Sequence, residues 1–287
     1  MNEIISIFTS TLSMSVPLIL AALGGVLSVK AGVMALGLES MMTMGAFCGV
    51  VGSYFSNSAV VGLVCGMLGG AFFGLCHAIL SIRYKVNQVI SGIGLNLLAV
   101  VATTLLMQII WDNKGSSPQV ASIDATVYTS PITWIMIIVV FAEYFLLFKT
   151  RFGLRLRMVG ENPKAAATVG LPVHGIKYIG VIACGVLCGL GGAYLSLDHL
   201  DMYVRDMSAG RGYIAVAIMI LAKYNPIKVL LCALIFGFSD AIQINFQGCG
   251  IPSQIMAMAP YAVTLFVLAF GVRHITPPAG VGCHVDE

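Results

Sequence analysis

Nine apolar runs follow one another along this chain, separated by short polar breaks. They lie at about residues 5–29, 35–55, 59–82, 89–111, 132–149, 178–198, 210–222, 227–247 and 254–272. That succession constrains the fold more than any other feature. A helix needs about 20 apolar residues to cross roughly 30 Å of hydrocarbon, and it satisfies its own backbone hydrogen bonds on the way. Outer-membrane strands would instead alternate apolar and polar residues in stretches of about ten. The expected fold is therefore all-α: a polytopic transmembrane helical bundle of about nine spans, between eight and ten, forming one membrane domain over residues 1–287. The seventh run is short for a span and reads as re-entrant, or as beginning within an ordered loop. Composition closes off the alternatives. Hydrophobic residues make up 59% and charged residues 9%, against about 45–50% and about 25% in an average soluble domain. A disordered chain has the opposite bias. A net charge of +3 is no nucleic-acid signature, because the placement of charge rather than its sum decides such binding. Met1-Asn2-Glu3-Ile4 lacks the basic start of a signal peptide, so the first run is expected to be retained.

An odd number of spans puts the two termini on opposite sides of the membrane, and basic residues choose the side. With the N-terminus outside, Lys30, Arg83, Lys85, Lys149, Arg151, Arg155, Arg157, Lys164, Lys177, Lys223, Lys228 and Arg273 fall inside. Only Lys114, Arg205 and Arg211 fall outside. The expected orientation is N-terminus outside and C-terminus cytoplasmic.

Three runs carry glycine at helical spacing: Gly62, Gly66, Gly70 and Gly74 in the third, Gly45 and Gly49 in the second, Gly185 and Gly189 in the sixth. Such stripes let neighbouring backbones approach closely, in bundles of any function. More informative is a repetition. Phe73-Gly74-Leu75-Cys76-His77-Ala78-Ile79 and Phe236-Gly237-Phe238-Ser239-Asp240-Ala241-Ile242 share Phe-Gly at the start and Ala-Ile at the end. They lie five spans apart in oppositely directed runs, as an inverted-topology repeat would leave them. His77 and Asp240 then stand at equivalent positions. The eight cysteines lie mostly within apolar runs with no C-x-x-C pair, and read as small hydrophobes. Adjacent Cys283 and His284 do not make a metal site, and no metal site is expected.

The longest cytoplasmic loop, about 150–177, begins with Arg151, Arg155 and Arg157, placed to meet anionic headgroups. Then comes Glu161-Asn162-Pro163-Lys164-Ala165-Ala166-Ala167-Thr168-Val169-Gly170-Leu171-Pro172. Asn162 suits a helix N-cap and Pro163 the first helical position. Alanines favour the helix, Gly170 can take the left-handed stop, and Pro172 blocks resumption. These residues predict a two-turn helix separate from the spans. Too short to be stable alone, it needs something to pack against: another protein's groove, or the chain's own surface.

At this loop the chain resembles permease subunits of ATP-binding-cassette importers, in the branch serving nucleosides and simple sugars, related more distantly to ribose and branched-chain amino-acid permeases. Glu161 to Pro172 carries the resemblance, with the Gly-rich Ala183–Ala193, Ala31-Gly32-Val33, Leu36-Gly37-Leu38-Glu39, Met44-Gly45-Ala46-Phe47, Gly210-Arg211-Gly212-Tyr213-Ile214-Ala215 and Asn225-Pro226. It spans about residues 15–270. Ser40 and Ala222-Lys223 depart from the branch's more usual Gly and Gly-Arg. The resemblance implies that Asn162, Pro163, Lys164, Ala165, Ala166, Ala167, Thr168, Val169 and Gly170 form the coupling helix, seated in a cleft of a cytoplasmic ATPase. It implies a second permease (a paralogue or a second copy), an extracytoplasmic binding protein or lipoprotein, and a place in the cytoplasmic (inner) membrane of a prokaryote. It implies no cofactor on this chain, ATP being hydrolysed by the partner.

Ionisable and amide groups within spans are costly and default to functional candidates. Glu143 is expected to pair with Lys149 or Arg151, and Glu39 to meet the positive N-terminus of its own helix. Asn96 in the fourth run and Asp240, Gln243 and Asn245 in the eighth are expected to line the substrate pathway, with Phe47 or Phe236 to stack on a ring. Helix–helix hydrogen bonding is the competing use of the same amides. No G-x-x-x-x-G-K-[ST] loop is present for ATP, and no H-E-x-x-H for an intramembrane protease. The resemblance implies half of an ATPase-driven translocation pathway for nucleosides, or simple sugars, and not an enzyme. An ion-coupled secondary transporter of a small polar solute, which also uses inverted repeats, is the alternative.

Overall fold

The computed structural model describes residues 2–121, 130–245 and 277–283, with isolated positions at 258, 262, 263 and 265; side chains are described from residue 7 and not at 245. Every regular element among them is helical. In chain order these are α1 (Asn2–Lys30), α2 (Leu38–Ser56), α3 (Ala59–Ala78), α4 (Gln88–Trp111), α5 (Pro131–Lys149), α6 (Arg151–Glu161), α7 (Pro163–Thr168), α8 (Val173–Tyr194), α9 (Arg211–Leu221) and α10 (Pro226–Asn245). Single π-helical turns extend α3 through Arg83 and α8 through His199. At the first, Tyr84 donates its amide to the Ile79 carbonyl at 3.1 Å, the i to i−5 bond of a π turn.

Six of the described helices are long and apolar enough to cross a membrane: Ile7–Lys30, Ala59–Arg83, Gln88–Trp111, Pro131–Lys149, Val173–His199 and Pro226–Ile244. α2 has the length, at 19 residues, but its Glu39, serines and glycines dilute its hydropathy. The short seventh run is the 11-residue α9. The ninth run, 254–272, lies outside the described residues apart from isolated positions.

α1 and α8 form the centre. α1 packs on α8, α9 and α10, and α8 packs on α1, α2 and α3. Leu18, Ile19, Leu20, Ala21, Ala22 and Leu23 of α1 are fully buried, a helix apolar all round and so enclosed all round. α4 and α5 are outer helices: Leu97, Val101, Leu105 and Ile109, like Trp134, Ile138, Phe141 and Phe145, stand exposed at intervals of three to four residues. Those stripes are faces suited to lipid or another subunit.

The glycine stripes meet one another. A side chain at Gly70 would strike the Gly185 carbonyl, one at Gly74 would meet the Val181 carbonyl at 2.9 Å, and one at Gly66 the Gly45 carbonyl at 2.9 Å. Gly45 in turn abuts Gly189. α2, α3 and α8 are therefore in backbone contact along the three predicted stripes. Helix ends are closed locally. Asn87 accepts the Val89 amide at 2.9 Å to start α4, and Asn57 and Asp112 take left-handed conformations just beyond α2 and α4.

One helix was not read from the sequence. α6 follows α5 after a single residue, Thr150, whose hydroxyl accepts the Gly153 amide at 3.1 Å. It buries Gly153, Leu156, Val159 and Gly160 and exposes Arg151 and Arg155, while the half-buried Arg157 lies over the Phe148 ring at 5.1 Å.

Candidate functional site

The loop helix forms as its residues dictate. The Asn162 side chain accepts the Ala165 amide at 3.0 Å, and Pro163 occupies the first turn. At the far end Leu171 donates to the Ala166 carbonyl at 3.1 Å and Gly170 to the Ala167 carbonyl at 2.9 Å, with Gly170 at φ +80°. That pair of bonds is a Schellman closure, which needs the left-handed residue glycine supplies. Pro163 and Ala166 face the protein and are buried, whereas Lys164, Ala165, Thr168, Val169 and Gly170 are exposed and Ala167 is half-buried. Val169 is 70% exposed, an apolar side chain with no cover. Grooves of about 280 and about 300 Å³ flank the helix, one between α6 and Ala165, the other between Ala167 and His174.

A second cluster of polar groups gathers where α2 and α9 begin. One oxygen of Glu39 accepts the Ser208 hydroxyl at 2.5 Å and the Gly210 amide at 3.1 Å; the other accepts the Gly212 amide at 2.6 Å. Glu39 thus sits on the positive N-terminus of α9, where a carboxylate satisfies unpaired amides, rather than serving only its own helix. Thr43 shares a hydrogen bond with Ser208 at 3.0 Å.

Asn96 ties α4 to the same place. Its carbonyl oxygen accepts the Ser40 amide at 3.0 Å, and its amide donates to the Leu36 carbonyl at 3.1 Å and the Tyr213 hydroxyl at 2.9 Å. Asp240 of α10 lies 4.0 Å from Arg211. Two predicted pathway residues from separate helices therefore converge on the first turn of α9. His77 hydrogen-bonds Ser91 and the Met34 carbonyl, both at 3.1 Å, and Gln88 accepts the Met34 amide at 2.7 Å. Three side chains from α3 and α4 thus hold the segment leading into α2.

The remaining candidates lie apart. Phe47 packs edge-on against Tyr203 and Trp111, with centroids 5.4 and 6.0 Å away. Burial in the connection between α8 and α9 pushes the Tyr203 phenol up to about 12. Phe47 also lines an apolar groove of about 660 Å³ between α2 and α3, with Met44, Val51, Phe55 and Phe72. Phe236 is fully buried and Gln243 half-buried; the side chain of Asn245 lies outside the described residues. Glu143 departs from expectation. It is buried beside Cys184 of α8, and among the described residues neither of its oxygens has a hydrogen-bond partner, so it is not paired with Lys149 or Arg151. Among the described residues no cluster of three His, Cys, Asp or Glu is placed to hold a metal. Sequence reasoning missed Ser208, Arg211 and Tyr213 as the partners of Glu39, Asp240 and Asn96. The Gly210-Arg211-Gly212-Tyr213 motif marked the place without its partners.

Long apolar helices, a glycine-sealed centre and polar latches inside the bundle define a multi-pass helical membrane protein. Residues 7–269 match the family model described as the branched-chain amino acid transport system / permease component. The chain belongs to that family, whose members are transport components rather than enzymes. It is 35% identical to the guanosine ABC transporter permease protein NupQ of Bacillus subtilis, over 98% of this chain and 96% of that one. It is 36% identical to the nucleoside ABC transporter permease protein NupC of Lactococcus lactis, over 97% and 96%. Among solved structures, an inward-facing ABC transporter assigned to the metal-chelate type shares the fold, with a TM-score of 0.57 at 17% identity over 93% of this chain and 87% of that one.

Proposed function

We propose that this chain is one of two permease subunits of an ATP-dependent nucleoside importer in the cytoplasmic (inner) membrane of a prokaryote. The observation that carries the reading is identity of 35–36% to a guanosine and a nucleoside permease along nearly the whole length of each chain. The chain binds no cofactor of its own in this reading; a separate ATPase hydrolyses ATP and an extracytoplasmic protein delivers the substrate. α7 is the coupling helix. Its outward Lys164, Ala165, Thr168 and Val169 meet the ATPase, while Pro163 and Ala166 hold it to the permease.

Nine spans with the N-terminus outside fit the arrangement. Lys30, α6, α7 and residues 277–283 gather at one end of the bundle, and the start of α1 lies at the other. An inverted repeat pairing α1–α3 with α8–α10 is supported by exchanged packing: α3 lies on α8 as α10 lies on α1, and α2 lies on α8 as α9 lies on α1. His77 reaches the segment entering α2, and its counterpart Asp240 reaches the residue that starts α9. The pathway in this reading passes the beginning of α9, where Asn96 and Asp240 meet it, with Gln243, Asn245, Phe47 and Phe236 further along. The half-length α9 suits a discontinuous helix of the kind that borders midplane sites.

The test is uptake of labelled guanosine into proteoliposomes holding this chain, its ATPase, a second permease and the binding protein. Uptake that needs ATP and persists with an ionophore is the expected result. Uptake by this chain alone, without ATP and abolished by the ionophore, would replace the reading with a secondary transporter. Competition by glucose but not by nucleosides would move the substrate class to simple sugars.

A further inference from the structure

We infer that residues 277–283 form a strap that fixes α7 to the end of α1, so that a displacement of α7 is delivered to the first span instead of being absorbed by the loop. The coupling half of this inference rests on the proposed role of α7; the strap itself does not.

The segment is ordered by its own turns. Val281 donates to the Pro278 carbonyl and Cys283 to the Gly280 carbonyl, both at 3.1 Å. It then reaches three other parts of the chain. The Gly280 amide donates to the Gly160 carbonyl at 2.9 Å, at the end of α6. The Gly282 amide donates to the Gly32 carbonyl at 3.3 Å, just after α1. The Lys177 ammonium, buried near the start of α8, donates to the Cys283 carbonyl at 2.8 Å. A further bond runs from the Ala279 amide to the Glu161 carboxylate at 3.3 Å.

Three glycines make the junction possible. A side chain at Gly160 would strike the Lys30 carbonyl. One at Gly32 would meet Gly160 at 3.3 Å and the Gly280 carbonyl at 3.4 Å, and one at Gly280 would meet Pro163 at 2.6 Å. The strap therefore lies against the backbone of Gly160 and Glu161 and the ring of Pro163, the first residue of α7, at the point where α6 meets the end of α1. α7 needs such support: six residues do not hold a helix by themselves, and only Pro163 and Ala166 of its own residues are buried. Among the described helices, α7 otherwise packs mainly on α6 and α8.

The test compares the whole chain with one ending at Thr276 and with the point variants Gly280→Val and Lys177→Met, all in lipid nanodiscs. Hydrogen exchange at the amides of residues 165–171 should rise about tenfold in the shortened chain and in Gly280→Val, with a smaller rise in Lys177→Met. Exchange in α3 and α8 should stay unchanged, which separates loss of the strap from unfolding. In the assembled transporter the same variants should keep the ATPase bound and hydrolysing while guanosine moved per ATP falls several-fold. Unchanged exchange at 165–171 would overturn the strap. Raised exchange with undiminished transport per ATP would overturn its coupling role. Failure of the whole chain to bind any ATPase would instead remove the importer reading, and the exchange result would still decide the strap.

Discussion

Glu39 on α2 accepts the backbone amide of Gly212 on α9 at 2.6 Å, across 173 residues of sequence. With Ser208 and Gly210 on its other oxygen, this buried carboxylate makes the beginning of the half-length α9 depend on the beginning of α2. Removing it leaves amides with no partner. Hydrogen bonds to a charged group contribute about 1.5–3 kcal/mol each, so Glu39→Ala should destabilise the protein by several kcal/mol, seen as a large fall in melting temperature in detergent. Glu39→Gln should cost roughly half as much, because one oxygen still accepts. Equal melting of Glu39→Ala and the parent would sink the assignment.

The loop helix separates two alanines that look alike in sequence. Ala165 faces outward and Ala166 is fully buried. Ala165→Arg should leave the melting temperature within error and reduce co-purification of the ATPase. Ala166→Arg should unfold the loop, because overpacking and an unpaired buried charge together cost upward of about 3 kcal/mol. Identical behaviour of the two variants would show that the helix does not sit as described.

Glycines of the central seam and of the outer helix should respond oppositely. Gly70 has no room for a side chain against Gly185, whereas a Cβ at Gly94 of α4 meets nothing within 4 Å. Gly70→Val should lose at least about 1–3 kcal/mol and reduce the yield of folded protein. Gly94→Ala should be neutral or stabilising by up to about 1 kcal/mol, through helix propensity. Melting curves in one detergent decide both.

Cysteine chemistry reads the orientation. Cys283 is exposed, while Cys184 and Cys188 are buried. A membrane-impermeant maleimide should label Cys283 in inverted vesicles and not in intact cells, and should leave Cys184 and Cys188 unmodified until denaturant is added. Labelling of Cys283 from outside intact cells would reverse the topology.

What the sequence disclosed was whatever is local or periodic. α7 was legible to the residue because Asn162, Pro163 and Gly170 act within a few positions of themselves. The glycine stripes were legible because spacing alone puts them on one face. α6 was not: Phe152, Leu154, Leu156 and Met158 fall at every second position between glycine and arginines, a spacing that marks no helical face, so the stretch reads as a polar break. The unusual cost of Asn96 and Asp240 in a span was visible, but their partners on α9 lie 117 and 29 positions away. No local rule connects them. Glu143 shows the opposite limit: proximity in sequence to Lys149 and Arg151 suggested a pairing, and the helix instead turns that side chain toward α8.

The exchanged packing also sets an order of events during synthesis. The glycine face of α3 is closed by α2 and by α8, and α8 ends at Tyr194. Until the chain has been made that far, a helix with a groove along one side waits in the membrane for a neighbour more than 90 residues downstream. α1 waits longer, for α10. Neither half therefore matures on its own, and a ribosome stalled before residue 173 should leave a set of inserted helices that quality-control proteases recognise as unfinished.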